Sequence, residues 1–286
     1  MIYKARTALF ACFGFAFAAC VGLPARSAPM QAVPTALAQR IAGAASQGQL
    51  IVLAPVGAHP LVINGDLSDW GPLDPRAGSI FQGLDDVSGL ESKKGRDATL
   101  FSLRYDDQAL YVAVHVFDAS VRTQEPLYMG DCIQLFFDVR STSGDGPLLN
   151  DKAYADGIYQ LMIAAPKSGD RTVRWVAGGQ KVAPLGPFEI AERLVPDGYT
   201  LEMRIPFSSL RRMTPDRLQE PIGFDIVVDD IDAIGSSGGT TPRAEYALSG
   251  SDDGWKDASI LHFAKAGYSG SLPAPFLRLL PRTGGA

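Results

Sequence analysis

Leu103-Arg104-Tyr105-Asp106-Asp107-Gln108-Ala109-Leu110-Tyr111-Val112-Ala113-Val114-His115-Val116-Phe117-Asp118 reads as two strands and the turn between them. Side chains of an extended chain alternate between two faces. Leu103 and Tyr105, with Phe101 before them, therefore share one face, and Leu110, Val112, Val114 and Val116 share one face of the next run. Asp106-Asp107-Gln108 is the polar turn. The same period of two returns in Ile133, Leu135 and Phe137, with Cys132, Gln134 and Phe136 on the other face, and again in Tyr159, Leu161 and Ile163. Further predicted strands are residues 173–176, 188–194, 199–205, 224–228, 244–248 and 260–263. Turn signals separate them: Ser143-Gly144-Asp145-Gly146-Pro147, Gly178-Gly179, Pro196-Asp197-Gly198 and the stretch from Gly235 to Gly239. Pro206-Phe207-Ser208-Ser209-Leu210 is expected to make one helical turn. Many short strands with no long amphipathic helix predict an all-β chain, an antiparallel β-sandwich of jelly-roll type in a single domain.

The periodic pattern begins at Pro60 and fades after Ala266, so the sandwich is expected over residues 60–267 with a Pro- and Gly-containing tail at 268–286. Residues 1–28 read as a signal peptide. Lys4 and Arg6 form a positive start, residues 8–19 an apolar run too short to span a bilayer, and Ala16-Phe17-Ala18 and Ala25-Arg26-Ser27 offer cleavage sites. Export to the periplasm or beyond follows. Phe17-Ala18-Ala19-Cys20 also fits a lipoprotein box, apart from Phe17 where leucine is usual. Two outcomes therefore stay open, simple cleavage or membrane anchoring through a lipidated Cys20. Residues 29–59, rich in Ala, Gln and Pro, read as a linker, with Leu50–Leu53 a candidate first strand.

The net charge of −5 leaves no basic footprint for nucleic acid and favours neutral ligands or cations over phosphates. Of three cysteines, Cys12 and Cys20 fall in the targeting segment, so the mature domain carries Cys132 alone and no internal disulfide. His59, His115 and His262 are too scattered for a zinc site. No Gly-x-Ser-x-Gly elbow, phosphate loop or spaced carboxylate pair typical of a hydrolase stands out, and the chain is read as a non-enzyme.

Five segments carry a resemblance: Ile63-Asn64-Gly65-Asp66-Leu67-Ser68-Asp69-Trp70, the opening stretch above, Gly130-Asp131-Cys132-Ile133-Gln134-Leu135-Phe136-Phe137-Asp138, Tyr199-Thr200-Leu201-Glu202-Met203-Arg204-Ile205-Pro206, and Ile222-Gly223-Phe224-Asp225-Ile226-Val227-Val228-Asp229-Asp230. In this order they resemble the family 9 carbohydrate-binding modules, β-sandwich units appended to secreted xylanases. The resemblance implies a saccharide ligand held between two aromatic walls. It places one wall at Trp255, in Gly254-Trp255-Lys256-Asp257, and the opposite wall at Tyr128, in Leu127-Tyr128-Met129-Gly130-Asp131. Flat aromatic faces stack on the C–H face of a sugar ring while amides and carboxylates fix its hydroxyls. The gripping positions have changed: the family's Glu is Gln134 here, its Arg is Gln160, its Gln is Val227, and an Asn in the Trp loop is Asp252. The family's glucan preference is therefore not carried over. Trp70 is expected to pack in the core rather than touch ligand.

Aspartates crowd the turns at Asp66/Asp69, Asp225/Asp229/Asp230/Asp232 and Asp252/Asp253/Asp257. Calcium takes 6–8 oxygens, often from such loops, and the resemblance adds a structural calcium. Asp66, Asp69, Asp229 and Asp230 are the expected ligands; the alternative is that they serve as ordinary turn residues. Two other functional readings stay open. One is a periplasmic haem-binding sandwich with Met129 and Lys256 as axial ligands. The other is an accessory domain of a glycoside hydrolase with no ligand of its own.

Overall fold

The computed structural model describes residues 50–73, 82–86, 99–124, 127–140, 157–166, 173–177, 188–210, 212–214, 217–218, 220–231, 244–251 and 262–266. The expected signal peptide, all of the linker before residue 50, and the tail lie outside them. In chain order the strands are β1 (Leu50–Pro55), β2 (Gln82–Gly83), β3 (Asp85–Asp86), β4 (Thr99–Tyr105), β5 (Ala109–Phe117), β6 (Cys132–Asp138), β7 (Ile158–Ala164), β8 (Val173–Ala177), β9 (Glu189–Val195), β10 (Gly198–Pro206), β11 (Ile222–Asp230), β12 (Ala244–Ala247) and β13 (His262–Ala266). No α-helix occurs among the described residues; the turn expected at Pro206–Leu210 is a single 3-10 turn at Phe207–Ser209.

Two sheets form the sandwich. The first runs β8-β7-β6-β11-β13-β1, with β12 beside β11 and β3 beside β12; the second runs β1-β4-β5-β10-β9, with β2 beside β4. All pairings are antiparallel except those of β1. Leu50 to Leu53 run parallel to β13 in one sheet, and Ala54 and Pro55 run parallel to β4 in the other. β1 thus passes from sheet to sheet and joins them. It belongs to the sandwich, which starts at Leu50 within the stretch read as linker, because Ile51 and Leu53 are buried in the shared core.

That core takes the alternating residues read from the sequence: Phe101 and Leu103 from β4, Leu110, Val112, Val114 and Val116 from β5, and Ile133, Leu135 and Phe137 from β6. Leu201, Met203, Phe224, Ile226 and Val228 complete it from β10 and β11. Each such burial contributes about 1.5–3 kcal/mol. The strands are less one-sided than alternation predicts. In β5 the opposite face, Ala109, Tyr111 and Ala113, is buried too, under Leu67 and Trp70, in a second apolar cluster.

The segment that covers this face is the Ile63–Trp70 stretch, fastened by one carboxylate. Glu202 alternates outward from Leu201 and Met203, and is fully buried. Its Oε2 accepts from the backbone N–H of Asn64 at 2.8 Å and Gly65 at 2.6 Å, and its Oε1 from Trp70 Nε1 at 2.7 Å. Thr200 Oγ1 adds a bond to the Gly65 carbonyl at 2.6 Å. Gly65 has φ +82, and a Cβ there would lie 3.0 Å from Arg193 Cβ, so the turn needs glycine.

Candidate functional site

Alternation also decides what the outer face of the first sheet presents. With Ile133, Leu135, Phe137, Tyr159, Leu161, Ile163, Phe224, Ile226 and Val228 turned into the core, the outward residues are Cys132, Gln134 and Phe136 on β6, Gln160, Met162 and Ala164 on β7, and Asp225, Val227 and Asp229 on β11. Register sets them in rows. Gln134 stands between Met162 and Val227, Cys132 between Ala164 and Asp229, and Phe136 between Gln160 and Asp225.

A directed chain of hydrogen bonds crosses these rows. Gln160 Nε2 donates to Gln134 Oε1 at 2.7 Å, and Gln134 Nε2 donates to Asp229 Oδ2 at 2.7 Å. The Cys132 thiol donates to the same Asp229 oxygen at 3.0 Å. All four residues are buried. A hydrogen bond to a carboxylate is stronger than one between neutral groups, so Asp229 orients both amides. Cys132 is therefore a polar member of this face rather than a core filler.

The 3-10 turn Leu127–Met129 stands at the edge of this face, where Leu127 packs with Met162 and Ala164. Tyr128, on that turn, is 44 % exposed. Gln134 and Gln160, two of the residues singled out in the sequence, are joined on this face, and Tyr128 lies on the turn at its edge. Trp255, Asp252 and Lys256 lie outside the described residues, so neither the opposite wall nor the Met129–Lys256 pair is placed.

Sequence reasoning missed Asp229 as a member of this face and assigned it to a metal. Alternation was the available signal: Asp229 and Asp230 are neighbours in β11, so their side chains leave opposite faces of the sheet and do not serve one ion together. Three of the four expected calcium ligands accept hydrogen bonds within the described residues. Asp66 Oδ1 caps the turn by accepting from Ser68 N, and Asp69 Oδ2 accepts from Val62 N at 2.8 Å. Asp229 holds Gln134, and Asp230 points inward among other carboxylates.

Asp225 closes the other end of the same face. Its Oδ1 accepts from Ile226 N and, at 3.0 Å, from Ser249 N, which fixes the Ser249-Gly250-Ser251 turn that leads toward Trp255. Burial pushes its carboxyl up to about 7, against the hydrogen bonds from Ser249. The unfolded chain releases this proton near 3.8 and the folded chain only near 7. Between those values folding takes up a proton, so stability held at low pH is lost as pH rises toward 7. Asp225→Asn should flatten that decline. Urea unfolding at about pH 5 and about pH 8 should differ by on the order of 2–4 kcal/mol less in the variant than in the wild type; an equal difference in both would place the titration elsewhere.

A second polar centre lies at the end of the core. Among the described residues, the carboxylates of Asp118, Asp131 and Asp230 offer oxygens all within 4.8 Å of one another, and all three residues are buried.

Comparison with known proteins fits this architecture. A family profile described as "Carbohydrate family 9 binding domain-like" matches residues 85–261. Two solved structures of a carbohydrate-binding module family 9 from Caldicellulosiruptor kristjanssonii share the fold, each with a TM-score of 0.51. The one in complex with cellotriose is 18% identical, with 76% of this chain and 93% of that chain covered. The one in complex with glucose is 17% identical, with 76% and 95% covered. No curated protein matches the chain.

Proposed function

Because the chain belongs to the carbohydrate family 9 binding domain-like family, which supports a saccharide-binding role, we propose that it is an exported, non-catalytic module that holds a saccharide on the outer face of the β8-β7-β6-β11 sheet. The observation that carries the reading is the Gln160–Gln134–Asp229 chain beside the exposed Tyr128. Tyr128 stacks on a sugar ring from one side and Trp255 from the other. Gln134 and Gln160 meet the hydroxyls, and Asp252 adds an acceptor from the Trp loop. With Gln160 where the family resemblance places an arginine, the grip on hydroxyls passes from a cation to neutral amides. Neutral glycans are thus the expected ligand class. Cellotriose and glucose, the ligands of the similar structures, are the first probes, beside insoluble polysaccharides and a glycan array.

Trp255→Ala should abolish glycan retention with little change in melting temperature, since a loop aromatic contributes to the ligand and not to the core. Tyr128→Ala should weaken binding and Tyr128→Phe much less, because stacking uses the ring. Gln134→Ala should cost roughly 1–3 kcal/mol of binding by leaving a sugar hydroxyl without its partner. A folded wild-type domain that retains no glycan on any of these surfaces would overturn the reading. Export rests on the leader-like residues 1–28. The intact mass of the mature chain tests it, and a diacylglyceryl group on Cys20 would mark an anchored form.

A further inference from the structure

We infer that Asp229 is a positioning residue on the outer face of the first sheet: it fixes the donor-to-acceptor direction of Gln134 and Gln160, so that Gln134 offers an N–H to an oxygen of the ligand. This role rests on the reading of that face as a saccharide site, and it supplies the group that sets the polarity of the site.

The three residues lie on a diagonal. Gln160 of β7 is opposite Phe136, Gln134 of β6 is opposite Met162 and Val227, and Asp229 of β11 is opposite Cys132. Each step crosses one strand and shifts by two residues along it, a spacing that long side chains bridge. Within its own row Gln134 has apolar neighbours, since Met162 and Val227 are both buried there. Its amide therefore turns to the two diagonal partners, Gln160 and Asp229.

A side-chain amide keeps its shape when turned by half a rotation, but its donor and acceptor change places. A carboxylate has no such freedom, because it only accepts. Asp229 Oδ2 takes the Gln134 Nε2 hydrogen at 2.7 Å and the Cys132 thiol hydrogen at 3.0 Å, so two donors converge on one oxygen. Gln134 must then turn its NH2 group toward β11 and its carbonyl toward β7, where Gln160 Nε2 donates to it at 2.7 Å. The direction set at β11 is thus handed on to β7. Turned the other way, the Gln134 carbonyl would face the Asp229 oxygen, two acceptors in contact in a buried place. The Gln134 side chain makes these two hydrogen bonds and no other among the described residues. Its Nε2 carries a second hydrogen, and that hydrogen is what the ligand meets. The ligand group over β6 is therefore an acceptor, a ring or hydroxyl oxygen of a neutral sugar; a hydroxyl there serves through its lone pair and not through its own hydrogen.

The test compares the purified mature protein with its Asp229→Asn variant, which keeps the side-chain shape and lets the array run either way. Nuclear magnetic resonance reads the direction without any sugar. Couplings through the hydrogen bonds should join Gln134 Nε2 to Asp229 Cγ and Gln160 Nε2 to Gln134 Cδ in the wild type, and both should weaken in Asp229→Asn. Binding is read with cellotriose, and with glucose carrying hydrogen or fluorine in place of one hydroxyl at a time. Fluorine accepts weakly and never donates, so at one position the fluoro sugar should bind the wild type at least about threefold better than the deoxy sugar. In Asp229→Asn the affinity for cellotriose should fall roughly tenfold and that ratio should drop to about one. A mere loss of packing would weaken both analogues alike and leave the ratio where it was. Glu189→Gln, on the other sheet, should leave couplings and ratio unchanged. The role of Asp229 is overturned if the wild-type couplings are missing or run the opposite way, or if Asp229→Asn binds cellotriose as the wild type does with the same analogue ratio. In those cases a wild type that binds cellotriose keeps the saccharide reading intact. A wild type that retains no glycan overturns the saccharide reading, and the role of Asp229 in it as well. Should Asp229→Asn not fold, the couplings and the analogue ratio of the wild type decide the question.

Discussion

Glu202→Ala should cost about 3–5 kcal/mol of folding stability, enough to remove much of the margin of an ordinary domain. Three donors lose their acceptor at once: Asn64 N, Gly65 N and Trp70 Nε1. Each orphaned buried donor costs about 1–3 kcal/mol. The loss also frees the segment that seals Ala109, Tyr111 and Ala113. Glu202→Gln should recover little, because its amide nitrogen would face N–H donors on one side. Burial holds the Glu202 carboxyl above its usual value, opposed by the bonds from Asn64, Trp70 and Gly65, so the acceptor geometry matters more than charge alone. Trp70→Phe should cost less than Glu202→Ala, and the double variant less than the sum of the two, because both remove the same bond. Chemical denaturation of the four proteins checks this; strict additivity would mean that Glu202 and Trp70 act separately.

The Glu202 network marks the limit of what is legible in the sequence. The period of two in β4, β5 and β6 depends only on neighbours along the chain, so the core residues Phe101, Leu103, Leu110, Val112, Val114 and Val116 could be listed by alternation, and the structure buries all of them. Contacts between distant segments leave no such trace. Glu202 lies 138 positions from Asn64, and nothing near it announces three donors. The aspartates show the same limit. Their abundance beside turns points to a metal, and the structure adds that Asp66 and Asp69 serve the local turn that Asp is good at making. Asp118 and Asp131 sit in stretches with no acidic crowding and meet only because two sheets close on each other. On the outer face of the first sheet, the resemblance points to Gln134 and Gln160, and the structure joins them. It could not supply Asp229, because which of two adjacent aspartates faces outward depends on which of Val228 and Val227 enters the core.

Gly198→Ala should prevent the domain from folding, or destabilise it by more than about 4 kcal/mol. Gly198 opens β10 after the Pro196-Asp197 turn and has φ +148, a conformation that side chains rarely adopt. A Cβ there would lie 1.9 Å from the Val116 carbonyl oxygen and 2.7 Å from Asp118 N. Both are backbone atoms, which cannot swing away as a flexible side chain does. The crowding follows from the strand pairing. β5 and β10 approach closely here because Asp118 N donates to the Asp197 carbonyl at 3.0 Å, continuing the ladder one residue past the strand. His115 Nε2 and Asp197 Oδ1, 3.2 Å apart, brace the same turn. That approach sets Asp118 beside Asp131 and Asp230. If a Gly198→Ala variant folds at all, it does so by parting β5 from the turn, and Asp118 moves with β5. The melting temperature of such a variant should then fall well below that of the wild type. Gly250→Ala provides the control: Gly250 also has positive φ, yet a Cβ there meets nothing within 4 Å among the described residues, so mainly the backbone strain of about 1–2 kcal/mol should register. A Gly198→Ala protein as stable as the Gly250→Ala protein would show that the β5–β10 contact is looser than these distances require.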